Sequence, residues 1–180
     1  EEAAGAGTNA LGSLFEPPKD MMAEGSLDEV KARASEQDKW LLVNVQSQAQ
    51  FASHLLNRDT WSEATVKEGL AAAFVFWQVQ DVSAEGRKVK TFYHLDELPA
   101  VLVVDPITGQ KMWHRPGFVG AMDLLEDLTP FFDRSPQSGA VPGLKRKQQP
   151  GPSGSRPSHP SARAADLSED EQLALAIAAS

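Results

Sequence analysis

The N-terminal part of the chain contains three short apolar runs, and they predict the strands of one sheet. They occupy residues 40–45, 74–79 and 98–104. Each run is almost continuously apolar, which is typical of a strand whose two faces are both buried. Apolar residues recur at helical spacing between the first two runs. We therefore expect those two strands to lie parallel and to be joined by a helical crossover.

Helical spacing and capping residues predict five helices around that sheet. Ser26 and Glu29 form a capping-box pattern that opens the first helix, which we expect to end near Gln37. The other helices are expected at residues 49–56, 63–70, 85–93 and from residue 121 onward. We expect residues 57–61 to break the second helix and Pro130 to end the last one early.

The third apolar run is predicted to continue into a hairpin. It leads into Asp105-Pro106-Ile107-Thr108-Gly109, which has the proline and glycine of a tight turn, and residues 111–114 would return antiparallel. The resulting order of strands and helices is that of a thioredoxin-like α/β fold. That fold places a cis-proline before its third strand, so we predict a cis peptide bond at Pro99.

Thioredoxin-like enzymes carry a Cys-X-X-Cys pair in the turn after the first strand, but this chain contains no cysteine. The fold is therefore predicted without that pair, and thiol–disulfide exchange is excluded because it requires a thiolate. Disulfide bonds and cysteine-ligated zinc are excluded for the same reason. We interpret Gln46, Ser47, Gln48 and Ala49 as part of an exposed loop that is the vestige of the lost active site.

Composition divides the chain into four parts. Residues 1–13 are small and polar and predict a flexible N-terminus, whereas residues 14–133 contain the folded domain. Residues 134–165 are rich in Pro, Ser, Gly and basic residues and poor in apolar ones, which predicts a disordered linker. Residues 166–180 regain helical periodicity and predict a short C-terminal helix.

Charge and hydropathy limit the possible partners and compartments. The net charge of −8 argues against nucleic acid, because phosphate binding requires clustered Lys and Arg. The longest apolar run, residues 70–77, is far shorter than the ~20 residues that span a bilayer. No signal peptide is visible and the chain begins with Glu1 rather than Met, so we interpret it as an excised piece of an intracellular protein. The basic run at residues 145–147 is either a nuclear-import patch or part of a solvated linker, and we expect a protein of the nucleus and cytoplasm.

The predicted C-terminal helix combines an acidic start with an apolar stripe. Acidic residues suit the positive end of a helix, and the stripe follows the spacing i, i+3, i+4 and i+7. The acids are Glu169, Asp170 and Glu171, and the stripe consists of Leu173, Ala176, Ile177 and Ser180. The pattern alone also fits a frayed amphipathic tail, or a helix that packs on its own domain.

Several uncommon sequence blocks resemble the UAS domain of UBX-family adaptor proteins. The blocks are EPPKDMM (16–22), KWLLVNVQ (39–46), FASHLLNRDTWS (51–62), FVFWQV (74–79), FYHLDELPAVLVVDPITGQK (92–111) and LLEDLTPFF (124–132). The C-terminal pattern resembles a ubiquitin-interacting motif, which has acids, then a bulky residue, then alanine, then serine. In that motif, the acidic residues and the apolar stripe of the helix would together form the ubiquitin-binding surface.

The resemblance implies an adaptor that has no cofactor and is not an enzyme. Family members link ubiquitylated proteins to the AAA+ unfoldase valosin-containing protein for proteasomal degradation, through a UBX domain that this sequence does not contain. The same motif allows neddylated cullin ligases as partners. Some UAS domains bind long-chain fatty acids, and here Lys88, Lys90 and Lys111 would be the basic residues near such a site. A passive protein-docking domain is a third possibility.

Histidines do not indicate a metal site in this sequence. The chain has four of them, at positions 54, 94, 114 and 159, and no two are spaced as a ligand pair. Ordinary surface or core histidines explain them better, so no metal is predicted.

Overall fold

Four strands form one mixed sheet in a computed structural model of the chain, which describes residues 15–138. The strands are β1 (Trp40–Gln46), β2 (Phe74–Gln80), β3 (Ala100–Val104) and β4 (Lys111–Pro116), in the order β2-β1-β3-β4. β1 and β2 pair in parallel, whereas β3 is antiparallel to both β1 and β4. The predicted crossover and hairpin are therefore confirmed. The predicted N-terminus, most of the linker and the C-terminal helix lie outside the described residues.

The helices are α1 (Leu27–Glu36), α2 (Phe51–Leu55), α3 (Ala64–Ala73), α4 (Ala84–Tyr93) and α5 (Ala121–Phe132). The capping box that opens α1 is confirmed, since Ser26 Oγ accepts from the Glu29 backbone N–H and the Glu29 side chain accepts from the Ser26 backbone N–H. The predicted break at 57–61 is wrong. There the helix continues as a π-helix, Leu56–Trp61, which keeps the chain helical while widening each turn.

The prediction that Pro130 ends α5 early is also wrong. The helix continues to Phe132, and Phe131 is 1% exposed in the core. Phe131 packs edge-on against Trp40, with ring centroids 5.4 Å apart, and also contacts Phe74. Pro130 removes one backbone donor near the helix end, and the aromatic packing of the next residue outweighs that loss.

The sheet is covered on both faces, as its continuous apolar strands predicted. α1 and α4 pack against the face that carries Leu41 and Val43. The π-helix, α3 and α5 pack against the opposite face, which carries Trp40 and Leu42. All seven residues of β1 are buried, so this strand is the centre of both hydrophobic layers.

The folded region extends past residue 133, where the linker was predicted to begin. The Trp40 indole N–H donates to the Arg134 carbonyl oxygen at 2.7 Å, and the Gln137 backbone N–H donates to Asp38 Oδ1 at 3.1 Å. Pro136 opens a short 3₁₀ helix, Pro136–Ser138, and is buried. Residues 134–138, which composition assigned to the linker, are therefore attached to the domain. The Trp40 indole and the Asp38 carboxylate hydrogen-bond to their backbone.

A cis peptide bond precedes the hairpin, and two hydrogen bonds of Tyr93 hold the end of the hairpin that carries the turn. The peptide bond between Leu98 and Pro99 is cis, as predicted. At the other end of the sheet, the Tyr93 hydroxyl donates to the Gly109 carbonyl oxygen at 3.0 Å and Lys111 Nζ donates to the Tyr93 carbonyl oxygen at 2.8 Å. Burial, with a smaller contribution from Asp28, raises the pKa of Tyr93 to about 12.

Across residues 15–138, no helix combines the length and apolar character needed to cross a membrane.

We expect Gly86→Ala to destabilise the domain strongly. Gly86 lies in the first turn of α4, where a Cβ would approach the Gln80 carbonyl oxygen to 1.9 Å. The backbone at the end of β2 would have to move, at an expected cost of about 2 kcal/mol or more in the free energy of unfolding. Urea denaturation measures the difference. Gly120→Ala is the control, since its Cβ would meet its nearest atom at 3.6 Å. Gly120 is the N-cap of α5, so this control should cost only the N-cap preference for glycine, about 1 kcal/mol. Equal stability of the two variants would contradict the prediction.

Candidate functional site

One face of β1 and β2 changes from apolar to polar half-way along the strands. On the face that meets the π-helix, Trp40 and Leu42 are followed by Asn44 and Gln46, because alternate residues of a strand share a face. In β2 the same change occurs, from Phe74 and Phe76 to Gln78 and Gln80. Asn44 is in register with Gln78, and Gln46 with Gln80. Four side-chain amides therefore lie together at the carboxyl ends of two parallel strands.

Three of these strand amides, together with Asn57 of the π-helix, form a closed ring of hydrogen bonds at this end of the sheet. Gln46 Nε2 donates to Asn44 Oδ1 and to Asn57 Oδ1, both at 2.8 Å. Gln78 Nε2 donates to the same two oxygens, at 2.9 Å and 3.0 Å. The four residues are between 0% and 7% exposed. We call this set, Asn44, Gln46, Asn57 and Gln78, the amide ring.

The π-helix brings Asn57 into the amide ring. Asn57 is its second residue and is 6% exposed, with its side chain directed at the strands. Asn57 Nδ2 also donates to the Phe15 carbonyl oxygen at 3.0 Å, which fastens the N-terminal segment over the strand ends. π-Helical turns are uncommon and occur often at functional sites. Through Asn57, the π-helix is therefore hydrogen-bonded to β1, to β2 and to the N-terminal segment.

Further hydrogen bonds join the amide ring to the rest of the domain. The Trp61 indole N–H donates to Asn44 Oδ1 at 3.1 Å, and Asn44 Nδ2 donates to the Ala100 carbonyl oxygen at 3.2 Å. Outside the ring, Thr60 Oγ1 of the same π-helix donates to the Val119 carbonyl oxygen at 2.6 Å. A buried polar group without a partner costs about 1–3 kcal/mol, so a satisfied network of this size specifies the local structure.

The structure separates the four residues that were interpreted as a vestigial active-site loop. Gln46 is the last residue of β1 and belongs to the amide ring, and Ser47 is also buried, so the predicted exposure is wrong for both. Gln48 and Ala49 form an exposed turn, as expected. The Ser47 backbone N–H donates to Ser53 Oγ at 3.1 Å, which holds this turn against the first turn of α2.

The groups at this position are neutral amides and hydroxyls. A serine nucleophile needs an adjacent base, and within residues 15–138 no hydrogen bond joins Ser53 Oγ to a histidine. His54 instead has its Nε2 3.4 Å from the Gln48 carbonyl oxygen and its ring against Phe15. The arrangement can therefore position hydrogen bonds, but it does not contain an activated nucleophile.

The other candidate ligand residues in the described region, the histidines and the lysines, are dispersed or already form ion pairs or hydrogen bonds within the domain. Residues 15–138 contain no group of three or more His, Asp or Glu side chains that could hold a metal ion. Lys88 pairs with Asp28 at 3.3 Å and with Glu85 at 3.9 Å. Within the π-helix, the Arg58 guanidinium donates to the Asp59 carboxylate and lowers the pKa of that carboxyl group. Position 159 and all seven residues predicted to bind ubiquitin lie outside the described part of the chain.

A cleft of about 320 Å³ opens beside the amide ring, between the ends of β1 and β2 and the N-terminal segment. Its lining combines side-chain amides and hydroxyls with two apolar residues and one imidazole. The lining consists of Phe15, Pro17, Gln46, Ser47, Gln48, Ser53, His54, Asn57 and Gln80. We call it the amide cleft.

Comparison with known proteins identifies the relatives of this domain. A family model described as thioredoxin-like matches residues 20–106. Plant UBX domain-containing protein 7 from Arabidopsis thaliana is 51% identical over 129 residues, which are 72% of this chain and 28% of that protein. UBX domain-containing protein 2 from Schizosaccharomyces pombe is 37% identical over 177 residues, covering 94% of this chain and 38% of that protein. Over the matched residues, this chain is similar to the UBX domain-containing proteins.

A solved structure confirms the thioredoxin-like fold of this chain. A thioredoxin from Thermus thermophilus superposes with a TM-score of 0.54 over 61% of this chain and 85% of that chain, at 20% sequence identity. The likeness shows a shared fold and carries no inference about activity. The chain spans only 28% and 38% of the length of the two UBX relatives described above.

Sequence reasoning missed most of the amide ring, although the sequence contains a signal for it. The two parallel strands of this chain end in VNVQ (43–46) and WQVQ (77–80), so amides alternate with apolar residues in both. Strands that are apolar throughout are the norm when both faces are buried, and paired amides at equivalent positions indicate a buried polar cluster. Asn57 carries no comparable signal, because its position depends on the π-helix.

We expect Asn44→Leu to lower the free energy of unfolding by roughly 2–4 kcal/mol, because Trp61, Gln46 and Gln78 would each lose an acceptor in a buried site. Chemical denaturation monitored by tryptophan fluorescence measures this loss. Gln37→Leu, which places the same side chain at an exposed amide, is the control and should change stability by less than about 0.5 kcal/mol. A similarly small effect of Asn44→Leu would show that the amide ring does not stabilise the domain.

Proposed function

We propose that this chain is a non-catalytic, ubiquitin-binding adaptor segment. Its thioredoxin-like domain would serve as a recognition scaffold, and residues 166–180 would bind ubiquitin. The observation that supports the non-catalytic role is the amide ring: beside the turn that carries the thiols of thioredoxin-like enzymes, this chain has neutral amides that hydrogen-bond one another. Groups already paired in this way are poor nucleophiles and bases.

The relatives support the adaptor role. They are UBX domain-containing proteins, and the match to the Schizosaccharomyces pombe protein covers 94% of this chain. That match therefore runs beyond the folded domain into the linker. We propose that the complete protein links ubiquitylated proteins to the AAA+ unfoldase valosin-containing protein through a UBX domain. Neddylated cullin ligases are proposed as additional partners, and the nucleus and cytoplasm as its location.

Ubiquitin binding by residues 166–180 follows from the sequence of that segment. Ala176 is small enough for a partner surface to approach the helix backbone closely. Leu173 and Ile177 flank it and would bury apolar area on ubiquitin, at ~25 cal/mol per Å². The acids at 169–171 would add a modest, salt-sensitive attraction to basic residues around the contacted apolar surface of ubiquitin. A helix of this length is marginal in isolation, so part of the binding free energy orders it and the affinity should be weak.

The fatty-acid alternative receives less support from the structure. Two of its three candidate lysines are engaged: Lys88 pairs with acids, and Lys111 Nζ donates to the Tyr93 carbonyl oxygen. An anionic head group would have to compete with these contacts. We therefore propose protein recognition as the role of the domain.

We expect Ala176→Asp to weaken ubiquitin binding at least about tenfold, because it buries a charge at the centre of the proposed contact. Titration of ¹⁵N-labelled ubiquitin with the 180-residue chain measures the affinity. Ala178→Asp is a matched control, since it introduces the same residue on the opposite side of the predicted helix and should change affinity less than about twofold. Equal affinity of both variants and the unaltered chain would reject the proposed contact surface.

A further inference from the structure

Three strongly exposed apolar side chains lie at one end of the sheet, the end where β1 stops. Phe51 is 65% exposed, Phe118 is 42% exposed and Met122 is 75% exposed. Phe51 begins α2, Phe118 lies in the loop after β4, and Met122 lies in the first turn of α5. Single exposed apolar residues are ordinary, whereas a group of them marks an interaction surface.

The fold brings the segments that carry these side chains together. The register of β1 with β3, and of β3 with β4, puts the residues after β1, before β3 and after β4 at the same end of the sheet. The Gly117 backbone N–H donates to the Pro99 carbonyl oxygen at 2.6 Å, which joins the segment after β4 to the segment before β3. The hydrogen bond from Thr60 to the Val119 carbonyl oxygen holds the loop before α5 against the π-helix, which continues α2.

The charged side chains on these segments are all acidic. Residues 47–52, 95–99 and 117–123 contain no Lys or Arg, and they contain the acids Asp96, Glu97 and Asp123. None of these acids forms an ion pair with another of residues 15–138. Their charges therefore remain available to a partner.

Two of these acids lie beside the exposed apolar side chains. Glu97 Oε1 is 3.4 Å from the position that a Cβ on Gly117 would occupy, and Gly117 directly precedes Phe118. Asp123 directly follows Met122 in the first turn of α5. The surface at this end of the domain thus combines apolar contact area with unpaired negative charge. We call the set Phe51, Glu97, Phe118, Met122 and Asp123 the apolar–acidic patch.

Charge complementarity limits what can cover the apolar–acidic patch. Nucleic acid and an anionic membrane surface would both be repelled by its acids. A protein surface with basic residues around apolar side chains is complementary, because its apolar groups would cover the three exposed side chains while its cations approach the acids. Ubiquitin, the partner proposed above for residues 166–180, is approached there in the same way, through an apolar contact with basic residues around it.

We propose that the apolar–acidic patch binds an apolar protein surface surrounded by basic residues, and that it is a second ubiquitin-contacting site in addition to residues 166–180. The choice of ubiquitin rests on the proposed function, but the two sites share no residue. A chain with two such sites would hold two linked ubiquitins more tightly than one, because the second contact forms at a high effective concentration.

NMR titration of the ¹⁵N-labelled 180-residue chain with unlabelled ubiquitin observes the two sites separately. We expect saturable shifts at the backbone amides of Gly117, Phe118 and Met122, with a dissociation constant on the order of 1 mM, in addition to shifts within residues 166–180. Shifts confined to residues 166–180 at up to about 3 mM ubiquitin would overturn this inference and leave the proposed function intact. Shifts at the patch alone would support this inference and contradict ubiquitin binding by residues 166–180.

A variant and its control locate the contact. Met122→Lys removes an exposed apolar side chain and adds a charge of the same sign as the partner's basic residues, so it should weaken binding at the patch at least about fivefold. Ile107→Lys is the matched control, since Ile107 is 54% exposed in the turn between β3 and β4, at the opposite end of the sheet. Equal affinity of the two variants at the Gly117 amide would overturn the proposal.

Salt dependence tests the charge complementarity without any substitution. Raising the NaCl concentration from about 50 mM to about 500 mM should weaken binding at the patch by about threefold or more, because the attraction between exposed charges is screened. An affinity that does not fall with salt would overturn the charge complementarity on which the choice of partner rests. This measurement and the shift mapping both stand even if Met122→Lys does not fold.

Discussion

Four hydrogen bonds among the side chains of Asn44, Gln46, Asn57 and Gln78 hold the carboxyl-terminal end of the sheet together. Each of the two glutamine NH₂ groups uses both of its hydrogens, and each asparagine oxygen accepts from both glutamines. The ring thereby joins β1 to β2 and both strands to the π-helix. Because the groups are buried, loss of any member leaves others without partners, which makes the arrangement all-or-none in character.

This constraint gives a physical basis for the proposed recognition role of the thioredoxin-like domain. Such a fold concentrates polar groups at the turn after β1, where enzymes use thiols. Here the chain has no cysteine, and the amides at the neighbouring strand ends are neutral and mutually paired. A neutral, rigid, hydrogen-bonding surface can discriminate partners by shape and by donor–acceptor pattern. It gives little help to a reaction that needs charge or proton transfer, which agrees with an adaptor role.

The sequence predicted those features that depend on local pattern. The predominantly apolar strands, the capping box at Ser26 and the hairpin turn follow from neighbouring residues, and the cis-proline follows from its place before the third strand of the predicted fold. The predictions that failed depend on contacts distant in sequence. Pro130 is tolerated because Phe131 packs on Trp40, and residues 134–138 are ordered because Trp40 and Asp38 bind their backbone. Asn57 enters the amide ring through a π-helix, where the sequence pattern predicts a helix break.

Hydrogen exchange of side chains tests the central claim, that the amide ring is a fully formed part of the folded domain. The Trp61 indole N–H and the side-chain NH₂ groups of Gln46 and Gln78 can each be followed by NMR in deuterated solvent. If the ring is closed, they should exchange only when the domain unfolds, with protection similar to that of the β1 backbone amides. Fast exchange of these side chains while the β1 backbone stays protected would show that the ring is open in solution and would contradict the account.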